Sequence, residues 1–166
     1  MNGFQHIGVG IVSSIGLSTG ICMAGGDIWT GMAAMPLCIV GSLIPDIDQT
    51  QSTIGKALPF LSKQISKLGH RTYTHSVLLW VVLGVLCYFK LPLWVMGLFV
   101  GVASHLLLDA MTIHGIPLYC LGTKENKWNR HFHILPKFMR CRGGSFWSHI
   151  LCIMFSILPF VVMSVI

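Results

Sequence analysis

The sequence IWTGMAAMPLCIVGSLIPDIDQTQS, residues 28–52, decides the class of fold, because it joins an apolar run to two aspartates. Asp46 and Asp48 follow the run directly, although the whole chain of 166 residues has only five acidic residues. Hydrophobic residues make up 54% of the chain, charged residues make up 10%, and the mean hydropathy is +0.74. This composition is too apolar and too poor in charge for an ordinary soluble domain. The sequence therefore indicates an integral membrane protein.

Hydropathy along the whole chain predicts about five transmembrane helices. The third is short for a hydrocarbon core of ~30 Å, which needs ~20 residues. The first has the length of a signal peptide, but its first five residues contain no Lys or Arg, which favours an uncleaved helix. We therefore expect an all-α fold, a polytopic membrane helical bundle in which residues 1–166 form a single membrane-embedded domain. The five segments are approximately residues 7–25, 28–45, 76–90, 92–111 and 150–166.

Shorter patterns add detail to this bundle. The segments Gly16–Gly20 (GLSTG) and Gly97–Gly101 (GLFVG) have the small-xxx-small spacing that lets membrane helices approach each other closely. Residues 54–68 place apolar side chains at helical intervals with lysines between them, and Pro59 interrupts the pattern. This segment predicts an interfacial amphipathic helix lying on the membrane surface. A solvated lid packed on the spans is the alternative interpretation.

The positive charge is concentrated in two loops, residues 46–75 and 112–149. These loops hold ten of the eleven Lys and Arg residues, and Lys90 is the remaining one. Five spans place both loops on the same side of the membrane as the N-terminus, and the positive-inside rule makes that side the cytoplasm. Basic side chains near the surface attract anionic headgroups, so membrane lipids are the expected partners. The loops carry no motif that supports nucleic-acid binding.

The ionisable residues of the predicted spans gather at this same face. His105 and Asp109 lie four residues apart in SHLLLD, so on a helix both side chains point the same way. In PDID the proline stops the helix, and the two aspartates follow in a turn where they can bind one cation or bridge two. Ionisable groups in a membrane are costly, and their default explanation is functional. The residues at this level are His6, Asp46, Asp48, His70, His75, His105 and Asp109.

This set of side chains predicts a metal site. Imidazole and carboxylate together suit Zn²⁺, Mn²⁺ or Fe²⁺ better than Ca²⁺ or Mg²⁺. Seven ligands exceed the three or four that one zinc ion needs, so we expect one or two ions. Metal binding lowers the pKa of water from 15.7 to about 7, and Asp48 is the candidate acceptor of its proton. Arg71 has the planar fork that suits a phosphate or carboxylate, which favours hydrolysis of a phosphoester.

Other polar residues near these motifs predict less specific roles. Thr74 and Ser76 stand where the third span begins, and we expect both to cap it. His114, His131 and His133 lie in the second loop, where no partner for them follows from the sequence.

Three motifs in this chain resemble those of a known family. LIPDIDQTQSTIG, LGHRTYTHSV and GVASHLLLDAMTIHG are similar to the successive motifs of the YdjM/YbcI family of bacterial inner-membrane proteins, whose metal-dependent hydrolase activity is inferred. The resemblance covers about residues 6–115, the core of the metal site, and implies metal binding at the seven residues given above. Beyond that core the family often has a glutamate where this chain reads RCRGGSFWSHI, and His149 is the candidate replacement. By a fainter analogy, the His-xxx-Asp pair on a helix, with Asp and His upstream of it, resembles the all-helical zinc-dependent phospholipases C and related nucleases.

The sequence therefore favours a membrane-bound metal-dependent hydrolase of the bacterial inner membrane. Its site would open at the cytoplasmic interface and act on a phosphoester such as a phospholipid. The alternative is a non-catalytic metal-binding membrane protein that recruits a cytosolic partner through its basic loops. A divalent-metal transporter is disfavoured, because a transport path needs polar groups near the midplane of the membrane.

Overall fold

Helices account for most of the computed structural model, which describes residues 3–69, 71–89, 92, 95–118, 131–150 and 152–154. The mostly helical fold that the sequence predicts is confirmed. Residues 146–150 and 152–154 are also helical. The principal helices of the described residues are α1 (Gly3–Met23), α2 (Ile28–Leu43), α3 (Thr53–Ala57), α4 (Pro59–Ile65), α5 (Val77–Tyr88) and α6 (Met96–Ala110).

Two helices among the described residues are long and apolar enough to cross a membrane. They are Gly3–Met23 and Ile28–Asp48, the second of which is α2 together with the 3-10 turn that follows it. Each has 21 residues, which at 1.5 Å per residue gives about 31 Å, close to the ~30 Å of a hydrocarbon core. Helix α6 is apolar but shorter, and α5 has 12 residues. Most of the predicted last span, residues 155–166, lies outside the described residues.

Helices α1, α2 and α6 pack against one another. Gly97 and Gly101 of α6 lie directly against the backbone carbonyls of Ala34 and Cys38 of α2, with no room for a Cβ atom at either glycine. The close packing predicted from GLFVG is therefore confirmed. In GLSTG, Ser18 lies against Gly31 of α2, where a Cβ atom would have no room. A Cβ atom on Gly16 or Gly20 would meet no described atom of another helix within 4 Å, so close packing at these two glycines stays a prediction.

The end of α2 places the two aspartates of PDID. The helix gives way to a 3-10 turn, Ile44–Asp48, at Pro45, which has no N–H to continue the α-helical hydrogen bonds. Asp46 and Asp48 are both buried in this turn. The hydroxyl of Ser52 donates to the carbonyl of Asp46 at 2.7 Å and accepts from the N–H of Gly55 at 2.9 Å. Ser52 therefore caps α3 and fixes the position of the aspartate turn at the same time.

The segment predicted to be an amphipathic helix forms two short helices instead of one. Helix α3 ends at Ala57, α4 begins at Pro59, and a 3-10 turn, Ser66–Leu68, follows. The interruption lies at Leu58 and Pro59, where the sequence predicts it. Large apolar side chains of this segment are exposed, which suits contact with lipid. They are Leu58, Phe60, Leu61 and Leu68.

A small β-hairpin, which the sequence analysis did not predict, follows α6. Its strands are β1 (Ile116–Pro117) and β2 (His131–Phe132), antiparallel, with Ile116 opposite Phe132. The N–H of Leu78 in α5 donates to the carbonyl of Leu118 at 3.1 Å, and the N–H of Ile134 donates to the carbonyl of Ala110 at 3.1 Å. The second basic loop is therefore tied to the start of α5 and the end of α6.

Candidate metal centre

Five of the seven predicted ligands lie together and are buried. Two groups of three offer donor atoms within 4.8 Å of one another, and His105 belongs to both. The first group is His6, His105 and Asp109, and the second is Asp46, His75 and His105. His70 lies outside the described residues.

Helix α6 supplies two of these side chains from one face. Its four-residue spacing brings Nε2 of His105 to 3.8 Å from Oδ2 of Asp109. His6, near the start of α1, stacks on His105 with the ring centroids 3.6 Å apart and the ring planes at 12°. The packing of α1 on α6 thus brings residues 99 positions apart in the chain into van der Waals contact.

The turn after α2 and the loop before α5 complete the centre. Oδ1 of Asp46 lies 3.7 Å from Nε2 of His105 and 3.8 Å from Nε2 of His75. Nε2 of His75 lies 3.5 Å from Oδ2 of Asp109. Ligands held at 2.0–2.1 Å around a tetrahedral zinc ion are about 3.4 Å apart. Four of the six separations among these four donor atoms are 3.5–3.8 Å, close to those of a tetrahedral metal site.

Unsatisfied nitrogen atoms in this centre test whether a metal ion fits it. Both ring nitrogens of His6 and Nε2 of His105 are buried, and none of the three has a hydrogen-bond partner among the described residues. Buried polar atoms nearly always have a partner, and those without one need an explanation such as a bound ion. The other nitrogen of His105, Nδ1, donates to the carbonyl of Ser42 at 2.6 Å. This bond directs the lone pair of Nε2 into the cluster, as metal-binding histidines require.

Asp48 lies behind His75. Its Oδ2 accepts hydrogen bonds from the Arg71 N–H at 3.1 Å and from the Thr74 hydroxyl, and lies 3.6 Å from Nδ1 of His75. Because Thr74 donates its one proton to Asp48, its oxygen can accept from Nδ1 of His75, which lies 3.1 Å away. Nε2 of His75 is then the nitrogen with a lone pair for an ion. The expectation that Thr74 caps α5 is wrong, whereas the Ser76 hydroxyl accepts from the Leu79 N–H at 3.4 Å.

Arg71 joins the loop before α5 to the end of α6. Its Nη2 lies 2.6 Å from Oδ2 of Asp109, and its Nη1 donates to the carbonyl of Gly115 at 3.1 Å. The backbone of Arg71 has φ of 57°, in the left-handed region that only a few per cent of non-glycine residues adopt. The bond from its N–H to Asp48 and the ion pair with Asp109 hold this conformation in place. Strained backbone of this kind is concentrated at functional sites.

Comparison with known proteins identifies the family of the chain. A family model described as YdjM inner membrane protein matches residues 1–165. The chain belongs to the YdjM family. It is therefore a membrane protein of a family named for the inner membrane.

The relatives are similar over part of their length. The chain is 49% identical over 82 residues to the uncharacterized protein YvsG of Bacillus subtilis (strain 168), which covers 48% of this chain and 51% of YvsG. It is 38% identical over 104 residues to the inner membrane protein YdjM of Escherichia coli (strain K12), which covers 58% of this chain and 52% of YdjM. The inner membrane protein YdjM of Shigella flexneri gives the same values. The chain thus spans about half the length of the curated relatives it matches. No solved structure matches it.

The electrostatics of His75 follow from its position between two carboxylates. Burial is the largest single influence and lowers the pKa of His75, but hydrogen bonding to Asp109 and Asp48, together with their charges, outweighs it. The net effect raises the pKa of His75 above its ordinary value. A metal ion at Nε2 would compete with protonation of the ring, because only neutral imidazole is a ligand.

His114, His133 and His149 belong to neither group of donor atoms. His114 is exposed, and Nε2 of His133 lies 3.0 Å from the carbonyl of Ile113. The side chain of His131 lies outside the described residues. Nδ1 of His149 lies 3.1 Å from Nε2 of Gln5, the residue before His6. The prediction that His149 replaces a glutamate stays a prediction.

Two polar residues near the cluster escaped the sequence analysis. Gln5 is buried beside His6 and donates to the hydroxyl of Ser148 at 2.9 Å, which ties α1 to the helical residues 146–150. Ser42 supplies the carbonyl that orients His105. A polar glutamine directly before the candidate ligand His6 was a signal in the sequence, whereas a backbone carbonyl leaves no such signal.

Proposed function

We propose that this protein is a metal-dependent hydrolase of phosphoesters, with phospholipids as the first substrate class, at the cytoplasmic interface of the inner membrane. One observation carries the proposal: buried histidine nitrogens without hydrogen-bond partners among the described residues face two buried aspartates at near-tetrahedral separations. A cluster of this kind is costly in an apolar bundle unless an ion occupies it.

The residues of the cluster would serve one or two metal ions. Asp46, His75, His105 and Asp109 would hold one divalent transition metal, with zinc the first choice and manganese or iron the alternatives. His6 lies 3.8 Å from the other oxygen of Asp109, so it would add a ligand to this ion or serve a second one. When bound, such an ion supplies a Lewis acid and lowers the pKa of a water molecule.

Asp48 and Arg71 are the chain's own candidates for the remaining chemistry. Asp48 would accept the proton of the attacking water, and its bonds to Arg71 and Thr74 hold it beside His75. Arg71 would place positive charge next to the phosphate while it fixes Asp109 in position. His70, which the family resemblance implies as a ligand, would approach from the same loop as His75.

The proposal includes five spans, with the N-terminus and both basic loops in the cytoplasm. It is supported by the ten basic residues of the loops and by the level of the cluster. His6 lies near the start of α1, Asp46 follows α2, and Asp109 lies near the end of α6. All three residues therefore lie at the same end of the helix bundle. A reporter active only in the periplasm, fused after residue 166, should be active, and the same fusion after residue 127 should be silent. The reverse pattern would contradict the orientation.

Hydrolysis of a panel of phospholipids and soluble phosphoesters by the metal-loaded protein tests the activity. Asp48→Asn keeps the shape of the side chain but should lower turnover by about 10²–10⁴-fold. Arg71→Lys keeps the charge but loses the planar fork, so it should weaken turnover at normal metal content. His114→Ala, at an exposed histidine outside the cluster, is the control and should change nothing.

Two outcomes of this experiment would contradict the proposal. One is a wild-type protein that binds metal but hydrolyses no member of the panel. The other is Asp48→Asn with full activity at normal metal content. The first outcome would favour the alternative function, a metal-binding protein that recruits a cytosolic partner through its basic loops. In that case neutralising Lys124, Lys127 and Arg130, which lie outside the described residues, should release the partner.

A further inference from the structure

A cavity of about 540 Å³ lies between α5, α6 and the β-hairpin. This volume is within the ~300–1,000 Å³ typical of ligand pockets. Its walls are almost entirely apolar, so no polar or ionic ligand would find partners inside it. Wall residues from the two helices include Val77, Trp80, Val81, Phe99, Ala103 and Leu106.

One end of the cavity adjoins the candidate metal centre. Ala110 lines the cavity and directly follows Asp109. Ile116 also lines it and directly follows Gly115, whose carbonyl accepts from Arg71. The guanidinium of Arg71 is therefore hydrogen-bonded to the residue that precedes a wall residue at this end of the cavity.

The wall residues of α6 extend over a length of helix that corresponds to one leaflet of a membrane. Phe99 lines the end of the cavity remote from the metal centre, eleven residues before Ala110 on the same helix. Eleven residues of α-helix rise about 16 Å. Half of a hydrocarbon core of ~30 Å is about 15 Å, which is the depth that an acyl chain occupies in one leaflet.

We propose that this cavity holds one acyl chain of a membrane phospholipid whose phosphate lies beside Arg71 and the metal centre. The occupant is identified by three properties: the walls are apolar, their length along α6 matches one leaflet, and a cation is hydrogen-bonded next to the end where a headgroup would lie. In a bilayer, acyl chains are also the apolar ligand present in greatest supply. The inference rests on the proposed function and specifies its substrate as a long-chain lipid.

Two pairs of variants separate the cavity from the rest of the lipid-facing surface. Val81 and Val85 lie one turn apart on α5 and are each 54% exposed, but only Val81 is among the cavity wall residues. Ala103 on α6 lines the cavity, whereas Ala33 on α2 is exposed and does not. Val81→Trp and Ala103→Trp should fill the cavity from opposite walls. Val85→Trp and Ala33→Trp are their controls.

The binding experiment uses metal-free protein in phosphatidylcholine nanodiscs that contain a phosphatidylethanolamine with a diazirine in its acyl chain. After photolysis, adducts should be concentrated on peptides from the cavity walls. Either blocking variant should lower these adducts at least roughly fivefold, since a bulky side chain in a filled site is strongly unfavourable. The controls should match wild type.

The outcomes distinguish this inference from the proposed function. Adducts spread evenly over the lipid-facing helices, or cavity adducts that neither blocking variant reduces, would overturn the inference. Cavity adducts in a protein that hydrolyses nothing would support the acyl-chain site and contradict the hydrolase. If the protein is a hydrolase, the blocking variants should lower turnover of a long-chain phospholipid while a water-soluble phosphoester reacts at the wild-type rate. Equal loss for both substrates would count against the acyl-chain site.

Discussion

The two sides of helix α6 differ in how they are packed. On one side, which we call the packed side, α6 meets α1 and α2 so closely that Gly97 and Gly101 touch backbone carbonyls. On the other, the open side, α6 faces α5 across a cavity of about 540 Å³. The packed side carries His105 and Asp109. On the open side, every residue of α6 that lines the cavity is apolar. Helix α6 therefore carries the candidate metal ligands on its closely packed face and borders a cavity on the other.

Removal of a ligand from the packed side should have the largest effect. His105 belongs to both groups of donor atoms, so His105→Ala should lower zinc affinity by more than about 100-fold, the upper end of the loss that outer-shell changes cause. His114→Ala, at an exposed histidine, should leave the affinity unchanged. Competition with a chromogenic chelator measures both. Equal affinities for the two variants would place the metal elsewhere.

A larger side chain at the contact between α6 and α2 tests whether close packing on the packed side holds the candidate metal centre in place. Gly101→Leu puts a side chain against the Cys38 carbonyl, where there is no room, and should destabilise the protein by about 1–3 kcal/mol and lower its metal content. Gly16→Leu is the control, because a Cβ atom there meets no described atom within 4 Å. Thermal unfolding in detergent micelles compares the two. A Gly101→Leu protein as stable as the control would show that this contact is not what holds His105.

The support of His75 should have a smaller effect on metal binding. Thr74→Val keeps the shape of the side chain but removes the hydroxyl that links His75 to Asp48. Zinc affinity should fall by about 10-fold, at the lower end for outer-shell changes. Thr19→Val is the control, since the Thr19 hydroxyl bonds the carbonyl of Ile15 within its own helix. Identical zinc titrations for the two variants would remove Thr74 from the metal centre.

Truncation on the open side should have the smallest effect on stability. Val81 lines the cavity and is half exposed, so Val81→Ala should change the free energy of unfolding by no more than about 0.5 kcal/mol. Val102 of α6 is buried and does not line the cavity, so Val102→Ala should cost more than about 1 kcal/mol. Equal losses in micelles would contradict the contrast between the two sides.

Local sequence patterns predicted the parts of the site that depend on helical geometry. The spacing of His105 and Asp109 and the proline before Asp46 each act within a few residues, so hydropathy and spacing suffice to place them at the ends of helices. The break at Pro59 follows from the same local rule.

The contacts that join distant segments did not follow from the sequence. Arg71 pairs with Asp109, 38 positions away, and Thr74 bonds Asp48, 26 positions away; only the packing of helices brings these groups together. GLSTG and GLFVG have the same spacing, but the spacing does not specify which residue contacts the partner helix: both glycines contact α2 in GLFVG, whereas Ser18 contacts α2 in GLSTG. The hairpin has two residues per strand, too few to show the alternation that predicts strands.

The central claim is that the buried histidines and aspartates hold a metal ion, and elemental analysis of the purified wild-type protein tests it most directly. Two or three His and two Asp ligands at near-tetrahedral separations predict one or two zinc, manganese or iron ions per chain. Removal by a chelator should be reversible on adding the metal back. A correctly folded protein that contains none of these metals, and takes up none on titration, would contradict the account.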